Sequence, residues 1–355
     1  MWGWEEGIRE RLREQADRIE QAGELPVWVL DWLYKERLFK LFVPEELGGR
    51  MAPLPEAFRV FEEVSRADGN AGWLVTIGAG GGVFAPAMTP ETAREVFERR
   101  EAVIAGSGMP TGTAVPVEGG YQVSGRWKYC SGAPYATTFT ANCVIDRGEG
   151  VPAGEIRSFA FRPEQVTIRE DWASFGLKAT GSHTIEVTDQ FVPEERTFDL
   201  TAPPAPGTDP LYRYPFLPFA QGSFAAVGLG IARHYLEEAG RFVERSRDGW
   251  EAAKPGRADR TAEAIREAEA LLDAAARVYY EAVERTWERV VEAGALTDEE
   301  QSEVSAACKA MGRTARETAQ AVFPKLGMAA LMEGTALNRT WRDLHTACQH
   351  SLLAE

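Results

Sequence analysis

Residues able to do chemistry are few in this chain of 355 residues, and their spacing excludes several classes at once. The four histidines, His183, His234, His345 and His350, show no HExxH or HxH pair, the spacing that aims two imidazoles at one metal, so zinc and di-iron chemistry are not expected. A serine hydrolase needs its nucleophile on a GxSxG elbow between strand and helix. The nearest approach, Gly106-Ser107-Gly108, lies at a strand start instead. No GxGxxG follows a strand, and no P-loop occurs. What remains is Trp127, Tyr129 and Ser131 on one β segment, the stretch 172–183 from Trp172 to His183, and a final helical segment carrying Arg339, Trp341, Arg342, Asp343, His345 and His350. Each aromatic taken singly suits a core; together with a glycine-rich apolar run they suit a planar aromatic ligand at a domain junction. Arg339, Arg342 and His345, three residues apart, read as an ordinary solvated face. The competing reading uses the two turns between Arg342 and His350, which would let both address one electron-rich ligand.

The elements that must position these groups follow from periodicity. Residues 1–103 repeat apolar positions every three to four residues, as in Phe58, Phe61 and Val64, and Thr89-Pro90 opens a short helix as N-cap and first turn. Near Ala102 the period becomes two. A hairpin turning at Glu118-Gly119-Gly120 and strands near 138–145, 157–161, 166–170 and 183–187 predict a small sandwich or barrel over 104–200. A proline-rich linker, 201–210, precedes long helices over 221–243, 261–291 and 302–323, the last opened by a Thr297/Glu300 capping box, and a closing helix over 338–353. The layout is an N-terminal helical domain (1–103), a central β domain (104–200) and a C-terminal helical bundle (201–355).

Composition limits the partners. Thirty-nine basic against 54 acidic residues give a net charge of −15, which repels a phosphate backbone, so nucleic acid is not an expected partner. The charge-free stretches 69–90 and 214–232 are diluted by glycine and proline below lipid-level hydrophobicity and read as buried helices rather than membrane spans. Four widely spaced cysteines and an amphipathic rather than targeting N-terminal segment point to reduced thiols in a cytoplasm.

The motifs Leu41–Gly49 (LFVPEELGG), 61–71 (FEEVSRADGNA), 119–132 (GGYQVSGRWKYCSG), 176–183 (GLKATGSH), 191–195 (FVPEE) and Arg342-Asp343 together resemble the acyl-CoA dehydrogenase superfamily over nearly the full length. The resemblance implies that superfamily's three-part fold, a flavin between the β domain and the bundle, and a homo-oligomer, tetramer or dimer. It implies that Ser131 donates a hydrogen bond near the flavin N5 edge, with Tyr129 against the ring and Gly132 beside it. Ser107, Trp172, Ser182 and Arg342 are further candidate cofactor contacts, and Ser131 and His350 are the candidate catalytic residues.

Departures from the dehydrogenase pattern choose the branch. The glutamate base that usually follows the Arg-Asp pair is replaced by His350-Ser351-Leu352, and 214–232 offers no carboxylate. Five residues follow His350, and no later segment is expected to supply the base. The usual FAD pyrophosphate and adenine motifs are missing from 233–335. The chain is instead similar to the two-component monooxygenases of the same fold. That implies reduced flavin, FAD or FMN, delivered by a separate reductase, and a C4a-hydroperoxyflavin acting on a small organic substrate, with Ser131 at the N5 side and His350 as acid/base or hydrogen-bond partner. The alternatives at this stage are an acyl-CoA dehydrogenase with a non-standard base and a non-catalytic flavin-binding homologue.

Overall fold

Three blocks of secondary structure follow one another in the computed structural model, which describes residues 7–148, 154–200, 202, 205 and 207–353. The first holds α1 (Ile8–Ala22), α2 (Val27–Lys35), α3 (Leu54–Ala67), α4 (Gly69–Gly80) and α5 (Pro90–Phe97). On α3 the apolar residues Leu54, Phe58, Phe61 and Val64 share a buried face, while α4 is buried on almost every side. The Asp68 side chain caps α4 by accepting the Ala71 amide, and Thr89 caps α5 by accepting that of Thr92. The apolar run expected to stay helical to Pro90 tightens into a 3₁₀ helix at Gly81–Ala87, where Pro86 removes a backbone donor.

The strands β1 (Ile104–Val117), β2 (Gly120–Cys130), β3 (Thr138–Ile145), β4 (Ile156–Phe161), β5 (Thr167–Arg169), β6 (His183–Pro193) and β7 (Thr197–Phe198) pair as one mixed sheet in the order β5-β6-β2-β1-β3-β4-β7. The expected hairpin is β1–β2, antiparallel, whereas β1 and β3 run parallel with a register shift between Ser107 and Gly112. Trp127, Phe139, Phe159 and Phe161 form the sheet's own core.

The last block holds α6 (Pro210–Arg213), α7 (Phe216–Ala253), α8 (Arg257–Ala293), α9 (Asp298–Val322) and α10 (Ala336–Ala347), with the Thr297/Glu300 capping box formed as expected. One apolar core runs through both helical blocks, with Phe58 of α3 against Phe219 of α7 and Tyr279 of α8. Close approach of α3 and α7 depends on Gly230, where a Cβ would sit 2.2 Å from the Glu62 carbonyl oxygen. Of the proline-rich linker, residues 201, 203, 204 and 206 lie outside the described residues, as do 2–6 of the N-terminal helix reading.

The closing helix is shorter than its sequence pattern predicts. It ends at Ala347, and His350 lies in the following turn, its amide bonded to the Ala347 carbonyl at 3.3 Å. The helical spacing from Arg342 to His350 therefore does not exist.

Candidate active site

At the end of β2 the chain leaves the sheet through Tyr129, a non-glycine residue at φ 51°, which turns the next two residues toward the helices. Such a conformation is costly for a side-chain-bearing residue and persists where the surroundings enforce it. The result is a division of labour. Tyr129 stays 67% exposed and its ring meets Trp172 edge-on at 6.1 Å, while Ser131 is buried. Gly132, at φ 83°, donates its amide to the Thr180 carbonyl at 2.8 Å. Trp127 is core, fully buried with its indole bonded to the Asn142 carbonyl.

Ser131 is where sheet and helices are joined by hydrogen bonds. Trp73 of α4 donates its indole N–H to Ser131 Oγ at 2.8 Å, Ser131 Oγ lies 2.8 Å from Ser182 Oγ, and Ser182 Oγ lies 2.6 Å from Thr180 Oγ1. Trp73 stacks on Phe224 of α7 at 5.2 Å, and Phe224 meets the His350 ring at 4.2 Å. Phe224 and Thr180 are contributions that sequence reading missed.

His350 is half-buried, and burial pulls its pKa below the ordinary imidazole value, so the ring is neutral at neutral pH. The Leu352 amide donates to Nδ1 at 3.3 Å, which leaves the ring proton on Nε2. His350 is therefore a hydrogen-bond donor in this state rather than a base. Gln221 of α7 holds the turn by donating to the Leu352 carbonyl at 3.2 Å, and its own Oε1 is buried without a partner.

The loop carrying Trp172 and Ser182 is fastened from below. Leu177 N–H donates to Asp343 Oδ1 at 2.6 Å, Ala179 N–H to Asn70 Oδ1 at 2.9 Å, and the Trp172 indole to the Leu177 carbonyl at 2.9 Å. At Gly176 a Cβ would lie 2.3 Å from the Arg342 carbonyl oxygen, so the loop can press on α10 only with glycine there. Burial pushes the Asp343 carboxyl up to about 7, against the pull of the Leu177 amide and with Asp68 adding to the rise. Arg342 binds Glu20, Asn338 Oδ1 and the Phe175 carbonyl, and Arg339 binds Asp17. Burial alone would raise the Glu20 carboxyl, but Arg342 more than reverses this and holds it below the usual range. Arg339 and Arg342 thus form a buried docking face for α1, not the solvated face expected, and Arg342 does not meet His350. Ser107 sits at the β1 irregularity, its Oγ reached by the Met109 amide at 3.5 Å.

The residues present fit a flat, redox-active ring. Exposed Tyr129 meets half-buried Trp172 beside a hydroxyl cluster, Trp73 links that cluster to the His350 imidazole at 6.1 Å, and Gln221 Oε1 is buried without a partner. Among the described residues no cluster of histidine, cysteine or acidic groups could hold a metal ion.

Two family models match the chain: acyl-CoA dehydrogenase, N-terminal domain, over residues 5–97, and acyl-CoA dehydrogenase, C-terminal domain, over 223–355. The chain is 30% identical over 355 residues to indole-3-acetate monooxygenase of Pseudomonas putida, covering 99% of this chain and 89% of that protein. It is 28% identical to the flavin-dependent monooxygenase oxygenase subunit HsaA of Rhodococcus jostii strain RHA1, covering 96% and 91%. The crystal structure of 3-HSA hydroxylase from Rhodococcus sp. RHA1 superposes with a TM-score of 0.90 at 26% identity, covering 98% of this chain and 91% of that one. Fold, site and relatives together define a helical oxidoreductase with a central sheet; the chain belongs to the acyl-CoA dehydrogenase superfamily, in its flavin-dependent monooxygenase branch.

Proposed function

We propose that this protein is the oxygenase component of a reduced-flavin-dependent monooxygenase, supplied by a separate reductase and acting on a small, flat organic substrate. The observation that carries this reading is the junction at Ser131, where a buried hydroxyl on the sheet is held by Trp73 beside Phe224 and the neutral His350. When bound there, reduced flavin supplies the two electrons that activate oxygen. The chain's own residues do the rest. Tyr129 and Trp172 offer faces to a planar ring, Gly132 lets the backbone turn beneath it, and Ser131 and Ser182 supply hydroxyl contacts. His350 Nε2–H offers a proton to a neighbouring oxygen atom, and the packed Trp73 and Phe224 rings exclude water from that side. Ser107 remains a candidate contact, whereas Arg342 is a positioning residue that acts through the loop it holds.

A dehydrogenase would need a carboxylate base facing the ligand. Asp343, a strongly perturbed carboxylate nearby, is buried beneath the loop and engaged by the Leu177 amide, so it is not placed to act as that base. A flat aromatic substrate agrees with the aromatic lining and with the indole-3-acetate of the Pseudomonas relative. We also propose the division at 103/104 and 200/201, a homo-oligomer resting on exposed Leu271, Val278, Met328, Leu331 and Met332, and residence in a reducing cytoplasm, which suits four free, buried cysteines. Among the described residues no helix is long and apolar enough to cross a membrane.

The test is anaerobic. Protein carrying oxidised flavin is titrated with acyl-CoAs, and protein carrying reduced flavin is then mixed with oxygen and flat aromatic acids or phenols. We expect no bleaching in the first arm and an oxygenated product in the second. Bleaching by an acyl-CoA would overturn the reading.

A further inference from the structure

The hydroxyl chain behind Ser131 has a direction, and that direction follows from counting protons. A hydroxyl has one proton to donate and two lone pairs. Thr180 Oγ1 donates to the Leu177 carbonyl at 2.9 Å, so its proton is committed. Its 2.6 Å contact with Ser182 then requires Ser182 as donor, and the 2.8 Å contact between Ser182 and Ser131 in turn requires Ser131 as donor. The Trp73 indole N–H donates into Ser131 Oγ at 2.8 Å. Ser131 is left with one lone pair and no proton, and is set to accept a hydrogen bond from a ligand rather than to give one. This reverses the polarity expected of Ser131 from the family resemblance.

Flavin N5 changes character with redox state: it is a bare acceptor nitrogen in the oxidised ring and an N–H donor in the reduced one. We infer that the chain Leu177 carbonyl–Thr180–Ser182 polarises Ser131 as an acceptor, so that the protein selects reduced over oxidised flavin, with Thr180 and Ser182 as positioning residues. The inference rests on the flavin reading above and on Ser131 meeting N5 there. The chain can be reversed by giving up the Thr180–Leu177 bond. That carbonyl also takes the Trp172 indole N–H at 2.9 Å and the Thr180 amide at 3.3 Å, so reversal forfeits one neutral hydrogen bond and no more. The preference from this contact is therefore roughly two- to tenfold.

The polarity can be inverted by a near-isosteric change. In Thr180→Val the Ser182 proton loses its acceptor and turns to Ser131, whose own proton then faces the ligand. Oxidised flavin becomes the better match. In Ser182→Ala the Ser131 hydroxyl is free to give or accept, and the preference vanishes. The experiment measures dissociation constants of FMN and FAD for the full chain, each oxidised or reduced with dithionite under argon, together with the midpoint potential of the bound flavin. We expect the ratio of oxidised to reduced dissociation constants to fall at least about fivefold in Thr180→Val, a drop of about 20 mV for a two-electron couple, with Ser182→Ala in between. Thermal unfolding checks that both variants fold, and Ser182→Ala carries the test if Thr180→Val does not. An unchanged ratio and potential in the folded variants would overturn the inference while leaving flavin binding intact. Wild-type protein that binds neither redox state would overturn the flavin reading and this inference together.

Discussion

Asp343→Asn isolates the buried carboxyl that fastens the site loop to α10. The carboxyl is pushed from an ordinary 3.8 up to about 7 by burial, while Oδ1 accepts the Leu177 amide at 2.6 Å. A folded-state value above the unfolded one means that the folded chain keeps a proton the unfolded chain has lost between about pH 4 and 7. Wild-type stability contributed by this group is thus full below the unfolded value and falls as pH rises through the folded one. The gap from 3.8 to about 7 amounts to roughly 4 kcal/mol at about 1.4 kcal/mol per unit. Asparagine keeps a carbonyl oxygen for Leu177 and has nothing to ionise. The stability difference between Asp343→Asn and wild type, measured by urea unfolding at a series of pH values from about 4 to about 8, should grow by about 1.4 kcal/mol per pH unit and level off near pH 7. Asp343→Leu, which leaves the Leu177 amide unpaired, should cost about 1–3 kcal/mol more than Asp343→Asn across that range. A difference between Asp343→Asn and wild type that stays flat with pH would refute the assignment of a strained carboxylate here.

Three further outcomes follow from the same contacts. Gly176→Ala places a methyl 2.3 Å from the Arg342 carbonyl oxygen and 2.6 Å from Thr346 Oγ1, so we expect a loss of about 1–3 kcal/mol in thermal unfolding and weaker flavin binding; unchanged values for both would contradict the loop docking. His350→Phe preserves ring packing on Phe224 and deletes the Nε2–H donor. Product formed per reduced flavin oxidised should drop roughly tenfold or more, and intact coupling would remove His350 from the chemistry. His345 packs at a tilt against Trp341 at 4.1 Å with Nε2 buried and unpartnered, and burial pulls it from 6.5 to about 4. The unfolded chain binds that proton first, so stability falls as pH drops from about 6.5 toward 4. His345→Phe should flatten this acid limb in urea titrations, and an unaltered limb would place the sensitivity elsewhere.

Much of the fold could be read from local pattern because each element advertises itself within a few residues. The strand Thr138–Ile145, the hairpin turn after Val117 and the Thr297/Glu300 box formed as read. The closing helix was misjudged because the segment after Ala347 keeps apolar residues, Leu352 and Leu353, at helical spacing while its backbone turns. Arg339 and Arg342 looked solvated for a related reason: their partners Asp17 and Glu20 lie 322 residues away.

Periodicity alone determined the helix–sheet–helix order of the chain, and the family resemblance carried by its motifs singled out Ser131 and His350, since period, turn chemistry and motifs act over short separations. Only the tertiary structure decided what those two residues can do. Ser131 meets Trp73 across 58 positions, and the loop that carries its neighbour Ser182 is tied to Asp343 by Leu177 across 166, contacts that leave no spacing signature in the chain. The proton on His350 and the direction of the Ser131 hydroxyl are set by a backbone amide and a backbone carbonyl. Every residue but proline carries both groups, so only the folding of particular backbones against these side chains selects which way each hydrogen bond points.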